Sequence, residues 1–295
     1  MRCLEYEPLA PYTSWRIGGP ARYFAQITSA AELVQALTWA DQRDLPVFVL
    51  GGGSNVLIRD TGFNGLVLRM RAHDLRLEIR GDEARVIVES GAPMAGTARR
   101  LARQGWAGLE WAEGLPGTIG GALYGNAGCY GGDVATSLDR AWVLVDGETQ
   151  EWPVERFAFS YRTSALKQIR AHGTSWRHQP VILAAAFRLH RDDLTALAQR
   201  IERTSHERRS KTPWGASCGS VFKNPPGENA GRLIEAAGLK GMRIGNAEIA
   251  ARHANYIINL GGASSDDVLR LIDLARERVL AMTGIELELE IQIVG

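Results

Sequence analysis

The chain has 295 residues and a formal net charge of +1, with 34 Lys and Arg set against 33 Asp and Glu. That balance excludes a dedicated nucleic-acid or anionic-membrane binder, which would carry a basic excess, and the length suits two or three domains, each with its own core. Cys3, Cys129 and Cys218 lie far apart, with no CxxC pair and no histidine at ligand spacing, so the sequence offers no metal motif and reads as reduced thiols in the cytoplasm.

No apolar run approaches the roughly 18 residues of a membrane span, and the first residues lack the apolar core of a secretory leader. Residues 13–20 read as a turn or strand entry ahead of the apolar Tyr23, Phe24 and Ala25. Ser29 then opens a helix: with Glu32 three residues on it makes a capping box, and Leu33, Leu37 and Ala40 line one face. Residues 47–50 are a short buried strand running directly into Gly51, Gly52, Gly53, Ser54 and Asn55, and residues 56–58 are strand again. A dinucleotide fingerprint of the Rossmann kind opens a helix, so this loop is not one; no Gly-Lys-Ser/Thr follows either glycine loop, so neither is a Walker A site.

Strand-like runs follow at residues 65–70, 75–79 and 85–89, then a helix over residues 94–104 ended by Gly105. Next comes GLPGTIGGALYGNAGCYGG at residues 114–132, in which eight of nineteen residues are glycine. Glycine at that density weakens helix and strand alike, but it lets backbone N–H groups wrap an anion with no Cβ in the way. Two such loops suggest a ligand with two anionic groups close together. Strands at residues 141–145, 149–152 and 181–189 complete a β-rich stretch, which makes this part α+β and not a doubly wound sheet.

Residues 192–209 form a helix with Leu194, Leu197, Ala198 and Ile201 on one face, and a domain boundary falls just before it. Arg203, Arg208, Arg209 and Lys211 crowd its end; they complement the helix dipole or meet a phosphate, and the sequence leaves both open. A short helix over residues 230–237 and a strand over residues 256–259 precede a helix capped by Ser264 or Ser265 and closed by Gly284. The last segment alternates as a strand: Ile285, Leu287, Leu289, Ile291 and Ile293 on one face, Glu286, Glu288, Glu290 and Gln292 on the other.

In fixed order the chain carries TSWRIGGPA from Thr13, GGGSNVL from Gly51, GLPGTIGGALYGNAGCYG from Gly114, FSYRTS from Phe159, CGSVFKNP from Cys218, AGLKG from Ala237, HANYIIN from His253 and the terminal LELEIQIVG. This series resembles the UDP-N-acetylenolpyruvoylglucosamine reductase family over nearly the whole chain. The resemblance implies an α+β fold: a two-subdomain FAD-binding region of the vanillyl-alcohol-oxidase (PCMH) type, residues 1–70 and 71–191, and a smaller α/β substrate-binding domain over residues 192–295. It implies non-covalent FAD held by Gly51, Gly52, Gly53, Ser54, Asn55, Gly114, Gly117, Thr118, Gly120, Gly121 and Asn126, with NADPH as co-substrate.

Motif position implies that Arg162 binds and polarises the substrate carboxylate, that Ser220 donates the proton, and that Glu290 assists at the carboxylate; an arginine fork suits two carboxylate oxygens. Tyr161, Lys223 and Asn224 are the implied contacts to the UDP-sugar. Of the terminal glutamates, Glu290 is preferred to Glu288 by motif alignment alone. Asn246 and Thr212 depart from the family pattern, and the lack of extra sequence around Tyr161 places the chain in the shorter (type II) form. The resemblance further implies a cytoplasmic monomer in cell-wall peptidoglycan synthesis. The alternatives are an FAD-linked oxidase with a covalent flavin tether, and a nucleotide-binding module that keeps the glycine loops without the catalytic motifs.

Overall fold

A computed structural model describes residues 2–171 and 179–295. The chain divides into two compact units. Phe24–Gly52 and Leu66–Arg208, with the first residues of the chain, make one; Leu4–Tyr23, Gly53–Gly65 and Arg209–Gly295 make the other.

In the first unit Val47–Leu50 pairs in parallel with Phe63–Met70, Val47 opposite Leu66 and Leu50 opposite Arg69. The helix Ala30–Asp41 buries Leu33, Ala36 and Ala40. Its expected capping box closes on one side only: Ser29 accepts from the Glu32 N–H, whereas the Glu32 carboxylate accepts from the N–H and hydroxyl of Thr28. Thr28 offers two donors where the Ser29 backbone offers one, so the carboxylate reaches one residue further back.

The rest of this unit is built on an antiparallel sheet ordered Glu148–Pro153, Leu138–Val145, Val181–Arg191, Glu83–Glu89, Leu75–Arg80, with Trp106–Ala107 also paired to Val181–Arg191. Val86, Val88, Ala141, Val143, Ala185 and Phe187 on one face pack with Met94, Ala98 and Leu101 of the helix Met94–Ala102 and with Ile119 and Leu123 of the helix Ile119–Tyr124. Each Val, Leu, Ile, Phe or Met side chain among these contributes about 1.5–3 kcal/mol when taken from water, and each alanine less.

Ile119–Tyr124 lies inside the glycine-rich stretch, which composition alone argues against. Gly120 and Gly121 each cost a helix roughly 1 kcal/mol. That is offset by the Thr118 cap, by burial of Ile119, Ala122 and Leu123, and by N–H bonds from Ile119 to the Ala92 carbonyl (3.0 Å) and from Gly120 to the Ser90 carbonyl (2.9 Å).

The second unit has a core of Trp15, Ile17, Leu57, Phe222, Ile234, Ile257 and the buried face of Ser265–Thr283. Ser264 caps that helix in a true box with Asp267, and Gly284, at φ 73°, ends it. A three-stranded antiparallel sheet runs Arg243–Ile244, Ala247–Ile249, Ile257–Asn259.

The terminal segment differs from the uniform strand that its alternation predicts. Only Gln292–Val294 is strand, paired in parallel with Val56–Ile58. Upstream, Leu289 makes a single antiparallel bridge to Phe222. The segment therefore changes partner near Glu290, and the inward phase slips: Leu287 and Ile291 are buried, but then Val294 is buried and Ile293 exposed. Leu4–Pro8, a strand with no clear alternation of burial, is a further element that sequence patterning does not reveal.

Candidate active site

Gly51 and Gly52 leave the strand Val47–Leu50 and run against Gly117 and Thr118. A Cβ on Gly51 would lie 2.6 Å from the Thr118 hydroxyl oxygen, and one on Gly52 would lie 2.7 Å from the Gly117 Cα, so only glycine allows this backbone approach. Gly117 is fixed from behind, its carbonyl accepting from the Met94 N–H at 3.1 Å. Among the described residues, the backbone N–H groups of Gly52, Gly117 and Thr118 make no hydrogen bond within the protein. Adjoining backbones with uncommitted N–H donors fit a pyrophosphate, whose oxygens supply the acceptors. The N–H of Gly120 is already bonded to Ser90, and that of Gly121 faces the Thr118 hydroxyl at 3.5 Å. Gly114 is overlaid by Arg208, whose Cδ lies 2.6 Å from where a Cβ would be.

Asn126, at φ 43°, ties the end of the glycine stretch to the FSYRTS turn. Its amide donates to the Ser160 carbonyl at 3.0 Å, and its oxygen accepts from the Ala135 N–H at 3.1 Å. Ser164, 0% exposed, donates to the Tyr124 carbonyl at 2.7 Å. Between them Ser160 and Thr163 exchange backbone bonds, and Arg162 takes φ 56° at the turn. A left-handed conformation costs a non-glycine residue of order 1 kcal/mol, so the turn is held by its surroundings. Arg162 Nη1 donates to the Gly128 carbonyl at 3.0 Å, and the guanidinium lies 5.6 Å from the ring of Tyr161, which is itself 55% exposed. Cys129 is the next residue: burial pushes its thiol up from the ordinary value, while Arg208 and Arg162 pull it down. Arg162 and Arg208 thus place two permanent cations around residues 128–129.

The second unit holds the other predicted residues. Gly53 takes φ 64°, with its carbonyl accepting from the Ser14 N–H at 3.0 Å. Ser54 is half-buried, and Asn55 donates its side-chain amide to the Glu290 carbonyl at 3.0 Å while its own carbonyl accepts from the Gln292 N–H. The Glu290 N–H donates to the Val221 carbonyl at 2.8 Å and the Lys223 N–H to the Glu288 carbonyl at 2.8 Å, so the CGSVFKNP and LELEIQ segments lie side by side. That pairing brings the chain at Ser220 next to the chain at Glu290. Burial, and then the Glu290 carboxylate, raise the buried Cys218 thiol well above its ordinary value, and Glu290 is itself half-buried. Glu288 points outward, paired with Lys223. Among the described residues the Ser220 hydroxyl makes no hydrogen bond. Asn224 is exposed and accepts from the Ala230 N–H at 3.1 Å, capping the approach to the helix Ala230–Ala236.

Three residues that sequence reasoning passed over are built into these segments. Glu113, immediately before Gly114, is 2% exposed and paired with Arg99. Asn259 bonds the Trp15 carbonyl, and Asn255 grips Phe222. Both asparagines lie in HANYIIN, Asn255 buried just ahead of the strand Ile257–Asn259 and Asn259 half-buried at its end.

Over residues 21–150 the chain matches the family described as FAD binding domain, and with the glycine cradle this defines an FAD-binding protein. Residues 207–294 match the family described as UDP-N-acetylenolpyruvoylglucosamine reductase, C-terminal domain. The chain is 54% identical to UDP-N-acetylenolpyruvoylglucosamine reductase of Chloroflexus aurantiacus over 98% of its own length and 96% of that protein's. It is 44% identical to the enzyme of that name from Rubrobacter xylanophilus, over 98% and 94%. The crystal structure of UDP-N-acetylenolpyruvylglucosamine reductase from Thermus caldophilus superposes with a TM-score of 0.82, at 32% identity, over 100% of this chain and 98% of that one. The chain belongs to the UDP-N-acetylenolpyruvoylglucosamine reductase family, with the length of its shorter form. No helix among the described residues is long and apolar enough to cross a membrane.

Proposed function

We propose that this chain reduces the enolpyruvyl group of UDP-N-acetylglucosamine enolpyruvate with NADPH, giving UDP-N-acetylmuramate for peptidoglycan synthesis. Family membership over nearly the full length supports the reaction. The observation that carries the site is the backbone pairing of Val221 and Lys223 with Glu290 and Glu288, which sets the Ser220 and Glu290 motifs against each other. Non-covalent FAD, when bound, relays a hydride from NADPH to the terminal vinyl carbon.

The chain's own residues then have three tasks. Gly51, Gly52, Gly53, Gly117 and Thr118 hold the pyrophosphate through main-chain N–H groups, with Ser54, Asn55, Gly114, Gly120, Gly121 and Asn126 shaping the same loops. Arg162 binds the substrate carboxylate and stabilises the negative charge that develops there, a job for a cation fixed in direction beforehand. Ser220 delivers its hydroxyl proton to the carbon beside the ether oxygen, and Glu290 assists at the carboxylate. Hydride and proton together saturate the double bond, and NADPH leaves as the oxidised nucleotide. Tyr161, Lys223 and Asn224 contact the UDP-sugar. In this reading residues 1–70 and 71–191 are the two flavin subdomains, residues 192–295 the substrate domain, and the protein works as a cytoplasmic monomer.

Flavin absorbance separates the two half-reactions. Ser220→Ala and Glu290→Gln are expected to leave bleaching by NADPH within about twofold of the parent and to slow recolouring by the enolpyruvyl sugar at least about a hundredfold, the scale of a lost proton donor. Equal loss in both halves would remove these residues from the protonation step.

A further inference from the structure

The Asn255 carboxamide is 3% exposed and lies along the main chain of Phe222: its Oδ1 accepts from the Phe222 N–H at 2.9 Å, and its Nδ2 donates to the Phe222 carbonyl at 2.8 Å. The Asn255 carbonyl accepts from the Val221 N–H at 2.9 Å. On the other side, the Val221 carbonyl accepts from Glu290 and the Lys223 N–H donates to Glu288. Residues 221–223 therefore act as the middle strand of a three-stranded arrangement in which one edge is a single residue, Asn255, bonding Val221 through its carbonyl and Phe222 through its carboxamide. The asparagine supplies a donor and an acceptor in the same plane, as a peptide group does.

Upstream, Gly219 alone separates Ser220 from Cys218, which is buried in the core. The Ser220 hydroxyl makes no hydrogen bond among the described residues, and Gly219 before it takes φ 83°, the left-handed region that glycine adopts readily, with nothing within 4 Å of where a Cβ would lie. The position of the hydroxyl is thus inherited from the main chain, held downstream by Val221 and Phe222. Proton transfer is steep in distance, and a donor displaced by about 1 Å can lose about a hundredfold in rate.

We propose that Asn255 is a positioning residue for the protonation step: its carboxamide sets the path of Val221–Phe222, and through it the placement of the Ser220 hydroxyl relative to Glu290. This rests on the reading of Ser220 as the proton donor. The carboxamide touches neither reacting carbon, so its effect passes wholly through the segment it grips.

The test uses the FAD-loaded enzyme with Asn255→Ala, Ser220→Ala and the double variant, each followed through both half-reactions. Asn255→Ala is expected to retain flavin, to bleach with NADPH at the parent rate, and to recolour with the enolpyruvyl sugar about 10–100-fold more slowly. In the Ser220→Ala background the same change is expected to cost under about twofold, because residues acting as a unit are not additive. Equal cost in both backgrounds overturns the positioning role while leaving Ser220 as donor. A silent Ser220→Ala overturns the reading beneath it and the proposal with it.

Asn255→Asp guards against a misfolded alanine variant. Its protonated carboxyl can still donate to one Phe222 group and accept from the other, whereas the carboxylate opposes the Phe222 carbonyl. Its recolouring rate is expected to fall with rising pH relative to the parent, with the NADPH half-reaction unaffected; a parallel pH profile overturns the proposal. Independently of turnover, amide exchange at Val221 and Phe222 is expected to quicken in Asn255→Ala ahead of that at Ile257, and unchanged exchange there counts against it.

Discussion

Arg99 and Glu113 form a lopsided ion pair: the carboxylate is 2% exposed, while the guanidinium, donating through Nε and Nη2, is 45% exposed. Arg99 belongs to the helix Met94–Ala102, and Glu113 ends the turn before Gly114, so the pair sets where the glycine stretch begins. Hydrogen bonding to Glu113 raises the Arg99 pKa above its ordinary value. Removing either partner has unequal effects. Arg99→Ala leaves a buried carboxylate uncompensated and is expected to cost about 3 kcal/mol, whereas Glu113→Gln returns a surface arginine to water and costs about 1 kcal/mol. Unfolding midpoints of the two variants, compared with FAD held constant, check the order; the reverse order sinks the argument.

The contact between Gly52 and Gly117 leaves no room for a methyl group. Gly52→Ala is expected to weaken FAD binding at least about tenfold, or 1.4 kcal/mol. Gly96→Ala is the control, since a Cβ there meets nothing nearer than 3.5 Å, and a helical glycine replaced by alanine gains up to about 1 kcal/mol of stability. Flavin fluorescence titration of both apoproteins reads the difference; similar affinities in the two would show that the loop backbone does not hold the cofactor.

Burial lowers the His253 pKa below its ordinary 6.5, with Lys240 acting the same way and the backbone and Glu235 opposing. Lys240 and Glu235 are themselves paired at 2.6 Å, and the Tyr256 ring packs 4.8 Å from the imidazole. The folded pKa lies below the unfolded one, so the unfolded chain takes up the proton first as pH falls. The contribution is fully present above about pH 6.5 and is lost as pH drops through the folded value, at no more than about 1.4 kcal/mol per pH unit. Melting temperatures between about pH 7.5 and pH 5 are expected to fall less for His253→Gln than for the parent. Identical slopes would assign the loss to other groups.

Trp15 is fully buried, and its indole N–H donates to the Ile257 carbonyl at 2.7 Å. Phenylalanine keeps most of the volume but leaves that carbonyl unsatisfied, so Trp15→Phe is expected to lower stability by about 2–3 kcal/mol. Denaturant midpoints measure it; a change under about 0.5 kcal/mol would mean that the carbonyl finds another donor.

The helices at residues 30, 194 and 265 were legible because each rests on local periodicity and on caps within four residues of their targets, and the run of strands because each is a short apolar run of its own; their antiparallel order was not. The glycine loops were legible as composition, and the ordered motifs carried the family. The helix Ile119–Tyr124 was not, because its stabilisation comes from Ser90 and Ala92, some thirty residues away. The terminal strand misled for the same reason. Its alternation is real as far as Ile291, yet its partner changes from Phe222 to Val56–Ile58, and no local pattern encodes a change of partner.

By itself, then, the sequence determined the helices and strands that rest on local periodicity and caps, the two loops dense in glycine, and the family to which the ordered motifs belong. Tertiary structure alone decided that Gly52 meets Gly117, that Glu113 needs Arg99, and that an asparagine at position 255 carries the backbone beside Ser220. Hydrogen bonds and close contacts have strict geometry but no fixed separation along the chain, so only the fold can state which of many compatible partners is used.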